Sequence, residues 1–322
     1  MLSTRSKLTA SMICVIVIAV VITAALGVTA LKFVGSRYAD RTLLLMCETG
    51  QKNLDNYFHS IEQSTGLMSA YVESDLDGLG DEKLQAHLAR VSIMFDKLHK
   101  ANGVLTYYYR IDPAVSQRVT GFWHINYDEG ILNHEVTDIS LYDTSDTSKL
   151  VWFTVPKATR QPVWVPPYVT ENLGARVISY NIPIHYQGRF VGVVGIEVDY
   201  SFMAQMVDHI ALHNNGYAFL NDEKGRILYH PRMDVLTMKE QPTVPSGLLD
   251  SDKFIHYTFE GIEKQAVWLP LENGMRLNLT APVKEINEEW NDWRIGLIAA
   301  STVLLAGFVM LAKTLIERIM GA

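Results

Sequence analysis

Cysteine is nearly missing: the 322-residue chain holds two, Cys14 and Cys47. Cys14 lies in a long apolar run, so no disulfide framework forms within one chain. Cys47 reads as a small buried hydrophobe, or as a link between paired helices. Excess positive charge is also missing. Between Lys32 and Arg294 stand 24 basic and 34 acidic residues, a net of −10. A nucleic-acid binder carries a basic face, so that partner class is disfavoured. There is no P-loop, nucleophile elbow or zinc-protease helix. An extracytoplasmic hydrolase is disfavoured for want of a nucleophile–base pair, and no cofactor is implied. His124, His134 and Glu135 match no metal-site spacing, which points to surface or turn roles and no metal.

Long uncharged runs are present. Leu8 to Leu31 carries no charge, and Ile295 to Ala312 is a second run bracketed by Arg294 and Lys313. A bilayer core needs roughly 20 apolar residues, so both qualify as spans. Trp290 and Trp293 precede the second, where amphipathic rings favour the headgroup layer. A cleavable signal peptide is the alternative for the first run, with Arg5 and Lys7 as its basic end. The run is longer than a usual signal core, which favours an uncleaved span. Positive-inside counting does not orient the chain, because Lys32, Arg37 and Arg41 offset the basic residues of the tails.

From Leu43 through Cys47, Leu54, Phe58, Ile61, Thr65 and Met68 to Val72, spacings of three and four mark one helical stripe. It leaves the first span as a stalk would and suggests a parallel homodimer. A second helix follows, with Leu84, Leu88, Val91, Phe95 and Leu98 on one face and Asn102-Gly103 at its end. Strand patterns then take over. "VLTYYYRI" and "QRVTGFWHIN" come first, then "RVISYNIPI" and "FVGVVGIEVD" joined through Gln187-Gly188. Tyr200–His213 reads as helical. A shorter round repeats the plan in "YAFLND", "RILYHP", "KFIHYTFE", "EKQAVWLPL" and "MRLNLTAPV". These are two diverged sheet modules in series. "VKEINEEWNDW" is predicted as a helix feeding the second span.

The stretch "LVWFTVPKATRQPVWVPPYV" sets Trp152, Phe153, Trp164 and Tyr168 among Pro156, Pro162, Pro166 and Pro167. So many prolines predict neither helix nor central strand, but a stiff irregular flap. In "VGVVGIEVD", alternation puts Val193, Glu197 and Asp199 on one face. A flap folded over that face would place two carboxylates beneath four rings, a setting for an ammonium group. The rings could equally be the flap's own hydrophobic anchor. Tyr107 and Tyr109 point one way and Tyr108 and Arg110 the other; Tyr109 is taken as the pocket-facing residue.

"VWFTVPKATRQPVWVPPYV", "ISYNIPIHYQGRFVGVVGIEVDYSFM" and "GYAFLNDEKGRILYHP", in this order, resemble the double Cache ectodomains of bacterial chemoreceptors, sensor kinases and diguanylate cyclases. The resemblance covers nearly the whole chain. It implies an α+β fold: two mixed or antiparallel PAS-like sheet modules in series on a long N-terminal helix, flanked by two transmembrane helices. It further implies a small ligand, an amine or amino acid, in the membrane-distal module. In the amino-acid-binding subset an Arg-x-Trp-Tyr element grips the ligand and a strand-end Asp holds its amino group. Trp152 and Asp199 match, Phe153 replaces Tyr, and Leu150 stands where the Arg would be. Arg clamps carboxylates bidentately, so α-carboxylate recognition is in doubt. Lys149, Lys157, Arg160 and Arg176 are the possible substitutes.

The expected organisation is a cytoplasmic tail (1–10), a transmembrane helix (11–33), stalk and second helix (34–103), and a membrane-distal module (104–213). A membrane-proximal module (214–283), connecting helix (284–294), second transmembrane helix (295–312) and cytoplasmic tail (313–322) follow. The expected function is a non-enzymatic sensor in the inner membrane, its large domain outside. Trp152, Phe153, Trp164, Tyr168, Glu197, Asp199 and Tyr109 are its candidate ligand contacts. A membrane-tethered protein-interaction scaffold is the alternative. After Ala312 ten residues remain, too few for a kinase or cyclase. The output is therefore expected from a longer receptor or a separate partner.

Overall fold

The computed structural model describes residues 4–98, 104–127, 130–133, 137–170, 173–210, 215–249 and 253–321. One helix organises it. α1 (Thr4–Asp75) is 72 residues long, and its predicted stripe from Leu43 to Val72 is buried. After a short break, α2 (Asp81–Leu98) starts with Asp81 and Glu82 in its first turn, where carboxylates complement the helix dipole. Its Leu84, Val91 and Phe95 join the core formed by α1. The predicted end at Asn102-Gly103 lies outside the described residues.

The first sheet contains β1 (Val104–Ile111), β2 (Gly121–Tyr127), β3 (Gly130–Asn133), β4 (Val163–Val169), β5 (Arg176–Tyr186) and β6 (Arg189–Asp199). Its order is β3-β2-β1-β6-β5-β4, and every pairing is antiparallel. β5 and β6 turn through Gln187 and Gly188, with φ of 51° and 80°. Two left-handed residues in succession are what a tight hairpin needs, because their twist matches that of the strands.

The proline-rich stretch departs from expectation. Val151–Thr159 is a helix, α3, with Pro156 inside it, and Val163–Val169 is strand β4. A single proline removes one hydrogen bond from a nine-residue helix held in place by burial of Trp152, Phe153 and Thr154. β4 tolerates Pro166 and Pro167 because it is an edge strand. Its register also shifts between Val165 and Tyr168, so both prolines sit in the bulge, where no ladder donor is required.

α4 (Tyr200–Asp208) leads to the second sheet, made of β7 (Tyr217–Asp222), β8 (Ile227–Tyr229), β9 (Phe254–Phe259), β10 (Ile262–Pro270) and β11 (Met275–Pro282). Its order is β8-β7-β11-β10-β9. Both sheets lay one face on α1: Val194, Ile196 and Val198 from the first, and Val267, Leu269, Leu277 and Leu279 from the second, share its core. Arg176 of β5 reaches the loop after β8, donating from Nη1 and Nη2 to Asp234 at 2.9 and 2.8 Å. Cys47 is fully buried, its Sγ 3.8 Å from the Leu277 carbonyl. That is the hydrophobe's role, not a link between chains.

α5 (Val283–Gly321) runs without a break through the second apolar run. Both end helices are long and apolar enough to cross a membrane. Trp290 lies on α1: a Cβ at Gly35 would come within 2.6 Å of its ring, and Tyr38 meets it edge-on with centroids 6.0 Å apart. Trp293, by contrast, is 69% exposed.

Candidate functional site

Alternation decides what each strand of the first sheet shows to either side. On β1, Tyr107 and Tyr109 point into the helical core, while Tyr108 points to the other face, packing with Trp123 of β2 and Val193 of β6. α3 covers this second face. Beneath it lies a cavity of about 250 Å³, with Trp123, Lys149, Leu150, Trp152, Tyr168 and Glu197 among its lining residues. Lining from the chain before α3 is possible because Leu150 adopts a left-handed conformation, φ 44°, which turns the backbone sharply into the helix.

The floor is a polar network. Glu197 is fully buried. Its Oε1 accepts from the Tyr168 hydroxyl at 2.7 Å and its Oε2 from Thr106 Oγ1 at 2.5 Å. Ser179 Oγ lies 3.3 Å from the Tyr168 hydroxyl and accepts from Asn181 Nδ2 at 2.9 Å, and Tyr108 donates to Asn181 Oδ1. The Tyr108 ring stacks on Trp123 with centroids 4.0 Å apart, and Trp152 meets both edge-on at 5.1 Å. Gly195 makes room for this arrangement: a Cβ there would lie 2.3 Å from Tyr108 Cζ and 2.5 Å from Asn181 Oδ1.

Burial pushes the Glu197 carboxyl up to about 7, against the opposing effect of its two donors. A carboxylate in a dry site is costly unless a cation joins it. Burial, and then the charge of Glu197, raise the hydroxyls of Tyr108 and Tyr168 well above the usual phenol range. Both therefore remain hydrogen-bond donors at neutral pH. Trp123 Nε1 is buried without a hydrogen-bond partner among the described residues.

Of the seven residues singled out in the sequence, the structure brings Trp152, Tyr168 and Glu197 to the cavity. Phe153 lies behind Trp152, against Phe190 and below the Lys157 ammonium. Trp164 is on the opposite face, donating from Nε1 to Glu62 of α1 at 2.7 Å and packing on Phe58. The proline bulge explains this. It inserts a residue between Trp164 and Tyr168, so two positions that plain alternation would align point to opposite sides. Tyr109 faces the ring of His87, also away from the cavity; the tyrosine of "YYY" on the cavity's side of the sheet is Tyr108, packed against the lining residues Trp123 and Trp152. Asp199 shares the parity of Glu197 but ends its strand. It caps α4, accepting from the Ser201 amide at 2.7 Å and its hydroxyl at 2.6 Å.

The possible substitutes for the missing arginine are mostly engaged elsewhere. Lys157 pairs with Asp112 at 2.7 Å, Arg160 donates to the Gly188 carbonyl, and Arg176 holds Asp234. Lys149 alone of the four lines the cavity. Among the described residues no cluster could hold a metal ion. His124 packs against Tyr107 and Phe122, and His134 and Glu135 lie outside the described residues. Trp123, Thr106 and Gly195 were missed in the sequence. The small residue in "VVGIE", two before Glu197 and so on its face, was the one signal that something large sits over the strand.

The extracellular domain of the putative histidine kinase mmHK1S-Z3 superposes with a TM-score of 0.62 at 18% identity, covering 79% of this chain and 97% of that one. The sensory domain of the Campylobacter jejuni chemoreceptor Tlp3, solved with isoleucine bound, gives a TM-score of 0.55 at 16% identity, covering 81% and 98%. The methyl-accepting chemotaxis protein PscA of Pseudomonas syringae pv. tomato is 25% identical over 80 residues, which is 25% of this chain and 13% of that protein's length. The family model of the Cache domain, dCache_1, matches residues 36–290. With two antiparallel sheets strung on one helix and a family match spanning most of its length, the chain belongs to the double Cache family of sensor domains.

Proposed function

We propose that the chain is an extracytoplasmic sensor of the inner membrane, anchored by α1 and α5. In this reading its six-stranded module is membrane-distal and takes a small amine or amino-acid-like ligand in the cavity under α3. The observation that carries this is Glu197, a fully buried carboxylate on a cavity walled by Trp123, Trp152 and Tyr168. An ammonium placed there gains a counter-charge and ring faces, each ring contributing roughly 0.5–2 kcal/mol. Asp199 acts as a positioning residue, fixing α4 at the end of the strand that presents Glu197. With Leu150 in place of a guanidinium, Lys149 is the cationic side chain of the lining, and an oxygen-rich end meets it together with the Trp123 Nε1 donor and the hydroxyl residues Thr137, Ser148 and Thr170. Amines without an α-carboxylate therefore bind about as well as amino acids. The bound isoleucine of Tlp3 and the bound asparagine of Mlp24 lend the amino-acid class its support.

Ligand closure of α3 onto the sheet would bias the placement of α1 against α5, in a homodimer and toward a separate or appended output protein. Shifts of about 1–2 Å and couplings of roughly 1–3 kcal/mol are usual for such switches. The test is thermal unfolding of the full chain in nanodiscs against a panel of amines and amino acids. A true ligand at a hundredfold excess over Kd stabilises by about 2.7 kcal/mol. A panel in which neither class shifts the transition overturns the reading and favours a protein-binding scaffold.

A further inference from the structure

The second sheet holds a buried cation that the reading above does not use. Lys264, on β10, is 1% exposed. Its Nζ donates to the Tyr217 hydroxyl at 3.1 Å, and lies 4.2 Å from the Tyr217 ring centroid and 5.4 Å from that of Phe259. An ammonium has three donors. Among the described residues it meets no carboxylate at ion-pair distance. Glu260 and Glu285 act on it only from farther off, and burial and Arg232 pull its ammonium below the usual lysine range. Arg232 stands over the same Tyr217 ring, 4.8 Å from its centroid. His230, packed on Tyr217 at 4.9 Å, is driven down to about 4 by burial, Lys264 and Arg232, so it remains uncharged at neutral pH. Arg232 is paired with Glu260 at 3.8 Å, which leaves Lys264 as the unbalanced charge of this group on the side of the sheet turned away from α1.

Tyr217, Phe259 and His230 are also walls of a separate cavity of about 290 Å³, together with Phe219, Tyr257 and Met233. The cavity thus has an apolar body and, immediately behind two of its rings, a buried positive charge without a counter-ion. A residue of this kind is costly to keep unless something negative completes it. We propose that this cavity in the five-stranded sheet is a second ligand site, selective for a small organic carboxylate with an apolar tail. The tail fills the aromatic body. The carboxylate takes over the Tyr217 hydroxyl, which otherwise bonds Tyr257 and is polarised by Lys264, and it lies in the field of Lys264, whose charge no carboxylate balances at ion-pair distance, while Arg232 keeps Glu260. An amine is repelled, the opposite of the cavity under α3, so one chain would carry two sites of opposite charge preference.

The experiment is calorimetric titration of the full chain in nanodiscs with propionate and benzoate. The expected result is saturable binding of a carboxylate, weakened tenfold or more in Lys264→Met and unchanged in Glu197→Gln. Thr243, exposed at the wall of the cavity, supplies a variant that leaves the core alone: Thr243→Trp should block binding while melting at the wild-type temperature. Absence of saturable carboxylate binding in the wild type overturns the proposal. So does wild-type affinity in both Lys264→Met and Thr243→Trp, or loss of binding in Glu197→Gln, which would assign it to the first cavity.

Discussion

Replacing Glu197 by glutamine removes one ionisable group and nearly nothing else, because the amide can keep partners at Tyr168 and Thr106. In the folded chain the carboxyl holds its proton up to about 7, against an ordinary value of 4.5. Between those values the folded state binds more protons than the unfolded state, so stability falls as pH rises. The contribution is complete below pH 4.5 and is lost on passing 7; about 2.5 pH units correspond to about 3 kcal/mol. Glu197→Gln should lack this slope. His87 and His230 are pulled below the usual imidazole range by burial and slope the other way, so the readout is the difference between the two proteins in urea unfolding from pH 5 to 8.5. Ligand binding carries the complementary sign. An ammonium needs the ionised carboxylate, so wild-type affinity for an amine should rise about tenfold per pH unit up to pH 7 and then level off. The variant should show no rise and bind more weakly by roughly 1.5–3 kcal/mol, the range for hydrogen bonds to charged groups. Equal slopes in the two proteins, or equal amine affinity at pH 8, would refute the role given to this carboxylate.

Gly195→Ala should displace Tyr108 and Asn181, lowering stability by about 1–3 kcal/mol and abolishing ligand-induced stabilisation; retained stabilisation on thermal unfolding would separate the cavity from this network. Gly35→Leu drives a side chain into the Trp290 ring and should part α1 from α5 near the second apolar run, read as a red shift of tryptophan emission in nanodiscs with the cavity's ligand affinity unchanged. Cys47, whose thiol burial raises to about 12, should resist a thiol reagent until the sheets unfold, in step with global unfolding by circular dichroism.

The fold was legible because its signals are periodic. The stripe from Leu43 to Val72 and the alternation in "VGVVGIEVD" each survive intact, and Gln187-Gly188 forms the turn expected of it. The site was legible only where periodicity held. Glu197 came through because one strand places it; Trp164 and Tyr168 were grouped together because nothing in "VWVPPYV" announces that the prolines absorb an extra residue and reverse the face. Helix α3 was hidden for a related reason: tertiary burial of Trp152 and Phe153 outweighs the local penalty of Pro156, and such burial is invisible to propensity. Asp199 and Glu197 are equally acidic on paper; the nearby Ser201 decides that the first caps a helix. Lys264 reads as an ordinary polar position in "EKQAVWLPL" until β9 and β7 close their rings around it.

α1 has one further consequence. At 1.5 Å per residue its 72 residues extend about 108 Å, and the same rod supports both sheets and meets α5 at Gly35. A tilt of one degree about one end of such a beam carries the other about 2 Å sideways. Rearrangements too small to disturb any single side-chain contact are therefore magnified by leverage alone, with no hinge required anywhere along its length.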